Sequence, residues 1–257
     1  MRTEHALQSW TVLCDFDGTI ALEDVTDSLL LRFGRPGWDA LEADWRDGRI
    51  GSRACMQGQV ALLECSSDEL LDHLASIRID DMFPAFVAAV EQRGWPLVVV
   101  SDGLDIVISA ILQRHGLGRL TVIANRLLAT GPRSWRLDFP HAHPNCTSAS
   151  GTCKCAWAQA PLTACSGTDG PLPKASYRGA QRAANPMSRV LMIGDGASDF
   201  CVAARADLNF ARKRLLEHCL DHSLPHRPVA DFGQALSLLP ALATLPAVAC
   251  ALPIISL

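Results

Sequence analysis

Two carboxylates two residues apart, Asp15 and Asp17, follow the apolar run Val12-Leu13-Cys14 and precede Gly18-Thr19. Side chains at i and i+2 of a strand point to one face. With the strand ending at Asp15, its carboxylate lies at the carboxyl edge of a sheet, and Asp17 lies in the loop leaving it. Open α/β sheets bind ligands at that edge. Two more apolar runs end in polar signatures. Leu97-Val98-Val99-Val100 leads into Ser101-Asp102-Gly103, and Val190-Leu191-Met192-Ile193 into Gly194-Asp195-Gly196-Ala197-Ser198-Asp199. In a parallel sheet these ends share one edge, so the signatures can converge. Clustered acids repel, and a cation makes them tolerable together. An oxygen-rich donor set of this kind suits Mg²⁺. The bland alternative for the first pair is a surface turn with two solvated acids.

Other elements must position these groups. Buried strands are expected at 10–14, 97–100, 120–124, 189–193 and 208–211. Helices are expected at 24–33, 38–45, 53–64, 67–77, 83–93, 104–115 and 200–205, with Ser67 as an N-cap. No strand signal interrupts 24–78, which reads as a small all-helical module. Residues 129–152 read as irregular and 161–174 as an insertion. Strands alternating with helices imply a mostly parallel sheet with right-handed crossovers.

Composition narrows the function classes. The 257-residue chain can bury a substantial core, and its net charge of −4 carries no basic footprint of a nucleic-acid binder. Residues 1–5 lack the apolar core of a secretory signal, and no run of about 18 apolar residues suggests a membrane span. The apolar tail, 235–257, is broken by Pro240, Pro246 and Pro253, and reads as a packed or loosely ordered end. Ten scattered cysteines without an export signal suggest reduced thiols and a cytoplasmic protein.

The three signatures together resemble the haloacid dehalogenase superfamily, in particular its phosphatases of the phosphoserine phosphatase type. The resemblance implies a Rossmann-like three-layer α/β/α core over 1–22 and 80–257, with a helical cap inserted over 23–79. It implies a Mg²⁺-dependent phosphomonoesterase that acts on a small phosphorylated metabolite through an aspartyl-phosphate. Asp15 would be the nucleophile. Asp17 would protonate the leaving alkoxide and then activate water. Ser101 and nearby amides, including those at Asp102 and Gly103, would hold the phosphoryl oxygens. Asp195, Asp15 and the backbone carbonyl of Asp17 would bind the metal, with Asp199 supporting its shell.

The family also uses a lysine ahead of the third acidic motif. The chain has only Lys154, Lys174 and Lys213. Lys213 comes too late, and Lys154, at the start of a helix in Thr152-Cys153-Lys154-Cys155, is favoured over Lys174. Phosphoserine phosphatases carry a glutamate nine residues after the nucleophile, to meet the substrate ammonium; here it is Asp24. The segment 45–55 resembles the cap of a methionine-salvage branch whose substrate is a methylthiopentenyl phosphate. Arg49 and Arg53 could there reach a phosphate or carboxylate, or could be solvated. Trp38 and Trp45 read as cap core.

Other readings compete with a phosphatase. A dehalogenase would need neither Asp17 nor a metal. His141, His143, Cys146, Cys153 and Cys155, with Cys165 as a further thiolate, could bind zinc, although C-x-C matches no strong zinc pattern. A catalytically silent zinc-binding or interaction protein on the same fold is the alternative from another class.

Overall fold

A computed structural model of the protein describes residues 9–143, 146, 151–154 and 188–243. Its strands are β1 (Trp10–Cys14), β2 (Leu97–Leu104), β3 (Thr121–Gly131), β4 (Ser134–Asp138), β5 (Arg189–Gly194), β6 (Leu208–Ala211) and β7 (His226–Pro228). They form one seven-stranded sheet in the order β4-β3-β2-β1-β5-β6-β7. All neighbours are parallel except β3 and β4. Val12, Leu13 and Cys14 are all buried, as expected of a central parallel strand covered on both faces.

The strand order reverses beside β1: β2 and β3 lie on one side, β5 to β7 on the other. A crevice opens at such a switch point, beyond the carboxyl ends of the strands. Cys14 pairs with Val99 of β2 and with Ile193 of β5. That register brings the three polar signatures to one edge of the sheet.

Between β1 and the helix α5 (Phe83–Gln92) the chain forms α1 (Val25–Phe33), α2 (Trp38–Arg46), α3 (Ser52–Ala61) and α4 (Ser67–Leu74). Asp24 caps α1 by accepting the Asp27 N–H, and the apolar stripe Val25, Leu29 and Leu30 is buried. Ser66, rather than Ser67, caps α4, in a reciprocal capping box with Glu69. An antiparallel bridge between Ala21 and Ile79 closes the base of the insertion. Arg114, at the end of α6 (Asp105–Arg114), donates to the carbonyls of Leu74 and Ile77.

Several expectations need correction. β2 continues through Ser101 to Leu104, so α6 begins one residue later than expected. The stretch 129–152 is not irregular throughout: β3 runs to Gly131 and turns into β4. This hairpin packs on the helical insertion, where Trp135 Nε1 donates to the Cys65 carbonyl at 2.9 Å. Trp135 and Leu137 alternate with exposed residues, a period-two signal among the polar residues of that stretch. After β5 come α7 (Phe200–Ala203) and α8 (Lys213–Asp221), then α9 (Phe232–Ala243). The start of the apolar tail is therefore ordered helix. Ala235, Leu239 and Leu242 bury one face of α9 despite Pro240, and Trp10 Nε1 donates to the Leu242 carbonyl. Residues 244–257, the insertion at 161–174, Lys174, Cys155 and Cys165 lie outside the described residues.

Candidate active site

Asp15 follows β1 directly and is 4% exposed. Its Oδ1 accepts the Phe16 N–H and the Lys154 ammonium, both at 2.8 Å. Its Oδ2 has no partner among the described residues, and Asp15 lines a cavity of about 1180 Å³. Burial pushes the Asp15 carboxyl well above the ordinary aspartate range; Asp199 adds to this and Lys154 opposes it.

Lys154 is fully buried, with its Nζ 2.6 Å from Asp199 Oδ1 and 2.9 Å from Ser198 Oγ. Burial alone would lower its pKa. Asp15, Asp199 and Asp102 outweigh burial and raise it, so the ammonium stays charged. A buried cation with two anions and a hydroxyl around it is satisfied in both charge and hydrogen bonding.

Asp17 turns the other way. Its Oδ1 accepts the Val25 N–H at the start of α1 at 2.9 Å, and its Oδ2 lies 3.4 Å from Ser101 Oγ. Gly103 makes room for it: a Cβ there would come within 2.6 Å of Asp17 Oδ2. Burial, and then the Asp24 charge, push Asp17 up to about 8. Burial raises both carboxyls, but their partners differ: Asp15 is held beside an ammonium, while Asp17 faces the Val25 N–H and the Ser101 hydroxyl.

Asp15, Asp195 and Asp199 each bring a carboxylate oxygen within 4.8 Å of the other two. Hard oxygen donors at this spacing fit Mg²⁺. Asp199, however, already uses both oxygens: Oδ1 meets Lys154, and Oδ2 accepts the N–H groups of Asp195 and Gly196. It therefore shapes the loop and holds Lys154. Asp195 also has a partner on each oxygen, the Thr19 hydroxyl at 3.3 Å and the Lys213 ammonium at 2.8 Å, but it lines the cavity with Asp15. The Asp17 carboxylate is not a member of the cluster.

Lys213, too late in the sequence to be the lysine ahead of the third acidic motif, still reaches this edge: its Nζ is 2.8 Å from Asp195 Oδ2. It gets there on a left-handed backbone (φ 47°) at the first residue of α8, which no sequence signal announces. Asp102, expected to contact substrate, accepts the Thr152 N–H at 2.7 Å and also lines the cavity. Asp24 lines it too. Arg49 and Arg53 do not: Arg49 is exposed and paired with Asp44 and Asp47. Among the described residues the histidine and cysteine cluster assembles no metal site. Cys146 and Cys153 are instead buried in an apolar cluster with Leu13, Met192 and Val202.

A family model described as haloacid dehalogenase-like hydrolase matches residues 12–204, most of the chain and all three acidic signatures. The chain belongs to this family. Among curated relatives, a 2-hydroxy-3-keto-5-methylthiopentenyl-1-phosphate phosphatase from Geobacillus kaustophilus is 30% identical over 235 residues, 89% of this chain and 94% of the relative. One of the same description from an Exiguobacterium species is 27% identical over 224 residues, covering 86% and 93%. Among solved structures, a phospho-aspartyl intermediate analogue of phosphoserine phosphatase superposes with a TM-score of 0.62 at 18% identity. That superposition covers 90% of this chain and 98% of the other. It establishes a shared fold. This member of the haloacid dehalogenase-like hydrolases is a phosphomonoesterase.

Several cavity-lining side chains escaped the sequence reading. Trp45 was expected in the cap core but is 39% exposed and lines the cavity beside Leu22, Met56 and Glu42. Trp38 does pack on the core. Phe200, His218 and His222 line another part, with the Phe200 and His218 rings stacked at 3.9 Å. The i, i+4 spacing of His218 and His222 places both on one face at the end of their helix.

Proposed function

We propose that the protein is a Mg²⁺-dependent phosphomonoesterase that forms an aspartyl-phosphate on Asp15. The Lys154 ammonium, shared between Asp15 and Asp199 at 2.8 and 2.6 Å, carries this reading. It fixes Oδ1 of Asp15 and leaves Oδ2 to attack phosphorus. As the Oδ2–P bond forms, the ester P–O bond breaks, and the leaving oxygen takes the proton of Asp17. In the second half, Asp17 takes a proton from water, whose oxygen displaces Asp15 from phosphorus. One ester and one water give one alcohol and inorganic phosphate. Ser101, in the cavity wall, holds one of the other phosphoryl oxygens, while Lys154 holds Asp15 in place. Asp15, Asp195 and the Asp17 carbonyl would hold the metal, which when bound offsets the negative charge that keeps a carboxylate away from a phosphate.

The substrate we favour is 2-hydroxy-3-keto-5-methylthiopentenyl-1-phosphate or a close analogue. Relatives of that description span nearly the whole chain. The cavity also offers apolar surface from Leu22, Trp45 and Met56, which suits a thioether tail. Asp24 in the same cavity favours phosphoserine as the second reading, because an ammonium would meet its carboxylate. Purified protein assayed with Mg²⁺ against both compounds and a panel of sugar phosphates separates them. A kcat/KM for phosphoserine well above that for the methylthio compound would overturn the first choice. Turnover of p-nitrophenyl phosphate that survives Asp15→Asn or EDTA would overturn the mechanism.

A further inference from the structure

The buried lysine is reached through residues whose side chains and backbone bond to the sheet. Described residues 151–154 lie against the end of β2 and the middle of β3, and one closed ring of hydrogen bonds holds them there. The Thr152 N–H donates to Asp102 Oδ1 at 2.7 Å, and the Thr152 hydroxyl donates to Asn125 Oδ1 at 3.2 Å. The Asn125 amide nitrogen, in turn, donates to the Asp102 carbonyl. Thr152 and Asn125 are both fully buried. Gly151 allows the approach, since a Cβ there would stand 2.6 Å from the Asn125 amide and 2.8 Å from Phe139. Two residues beyond Thr152 is Lys154.

Asn125 suits this place for a specific reason. It pairs with Leu104 where the register between β2 and β3 shifts, so its side chain meets a stretch of β2 backbone whose ladder is interrupted. A carboxamide can donate to one partner and accept from another at once. An aspartate could not donate to the Asp102 carbonyl, and an apolar residue would take away the bonds that this carbonyl and the Thr152 hydroxyl make to Asn125.

We propose that Asn125, Thr152 and the Asp102 carboxylate are positioning residues that act through Lys154, setting where its ammonium stands relative to Asp15. The Asp102 carboxylate then has a task distinct from substrate contact. The proposal rests on the reading of Lys154 given above. It explains how a lysine on a non-strand segment can be as fixed as the strand-end acids around it.

The test uses the full chain with saturating Mg²⁺, and orthovanadate as the probe, with affinity and stoichiometry read by isothermal titration. Thr152→Val removes the hydroxyl at nearly constant volume, and Thr152→Ser keeps it. Thr152→Val and Asn125→Leu should each weaken orthovanadate binding by about tenfold and lower kcat in parallel. Thr152→Ser should stay within about twofold of the parent protein, by retaining the same bond. A purely structural defect would reduce the number of binding sites and leave their affinity unchanged. The deciding comparison is made on Lys154→Met, where Thr152→Val should have no further effect on affinity. An equal loss in both backgrounds, or no loss in the parent protein, overturns the proposal. Lys154→Met with normal turnover would instead overturn the catalytic reading of Lys154.

Discussion

Lys154 Nζ lies 2.8 Å from Asp15 Oδ1 although the two residues belong to segments far apart in the chain. Lys154 has no exposed side-chain surface and Asp15 has 6%. The pair, with Asp199, is a buried triad in which each charge depends on the others. Removing one member is therefore more costly than the net worth of the contacts. Lys154→Met should destabilise the fold by about 3–5 kcal/mol, the usual result of leaving buried carboxylates unpaired. Urea unfolding at pH 7 measures it, and the loss should shrink as the pH falls and the acids protonate. Turnover should fall at least about a hundredfold, the scale seen when one charge stabilising a transition state is lost.

Asp17 is expected to matter in proportion to the leaving group's need for a proton. Asp17→Asn should lower kcat for an alkyl phosphate by about 10²–10⁴-fold, the usual contribution of a positioned general acid. With p-nitrophenyl phosphate, whose leaving oxygen is stable as an anion, the first half-reaction should be much less affected. A burst of p-nitrophenol before slow turnover would report this, because Asp17 is still needed to activate water. Equal losses on both substrates, without a burst, would assign Asp17 a binding role only.

A cluster of acids in the helical insertion predicts how stability changes with pH. Burial, then Asp24 and Glu42, push the Asp27 carboxyl up to about 6 from an ordinary value of 3.8. The folded state thus binds this proton more tightly than the unfolded chain does. Stability from Asp27 is complete below pH 3.8 and is lost as the pH rises through about 6. Asp24 is raised as well, so it acts in the same direction. Asp27→Asn should therefore melt about 1–2 °C above the parent protein at pH 7, a shift kept small by solvent screening. At pH 4 the difference should vanish. A melting advantage that is constant from pH 4 to pH 8 would show that the acids do not interact.

How far these features could be read from the sequence depends on what each rests upon. Asp15, Ser101 and Asp195 were legible because a buried strand is a four- or five-residue apolar run, and the residues just past its end must lie at the sheet edge. The helical insertion was legible from its periodicity and the lack of strand signals. β4 was harder, because an edge strand exposes every other side chain and Trp135 and Leu137 stand among polar residues. α9 was obscured by Pro240, which removes an intrahelical hydrogen bond and reads as a helix breaker, while Ala235, Leu239 and Leu242 fix one face of the helix in the core. The Lys213 contact with Asp195 and the place of Trp45 in the cavity were hidden for another reason. Each depends on how two elements approach each other, which local spacing does not encode.

Lys213 gives the last test. Its ammonium lies 2.8 Å from Asp195, one of the three clustered carboxylates, and its backbone sits at φ 47°. Left-handed geometry at a non-glycine residue costs about 1 kcal/mol or more, and asparagine tolerates it better than lysine. Lys213→Asn should therefore not lower the melting temperature, since the ion pair it removes is 61% exposed on the lysine side and contributes little. The same change removes a positive charge from beside a carboxylate proposed to hold the metal. Like charges oppose one another at this range even in a partly solvated site. Mg²⁺ should then bind several-fold more tightly, by titration calorimetry, with the difference shrinking at high salt. Weaker Mg²⁺ binding would mean that Lys213 orients Asp195 for the metal more than it competes with it, and a lower melting temperature would mean that the ion pair outweighs the backbone strain.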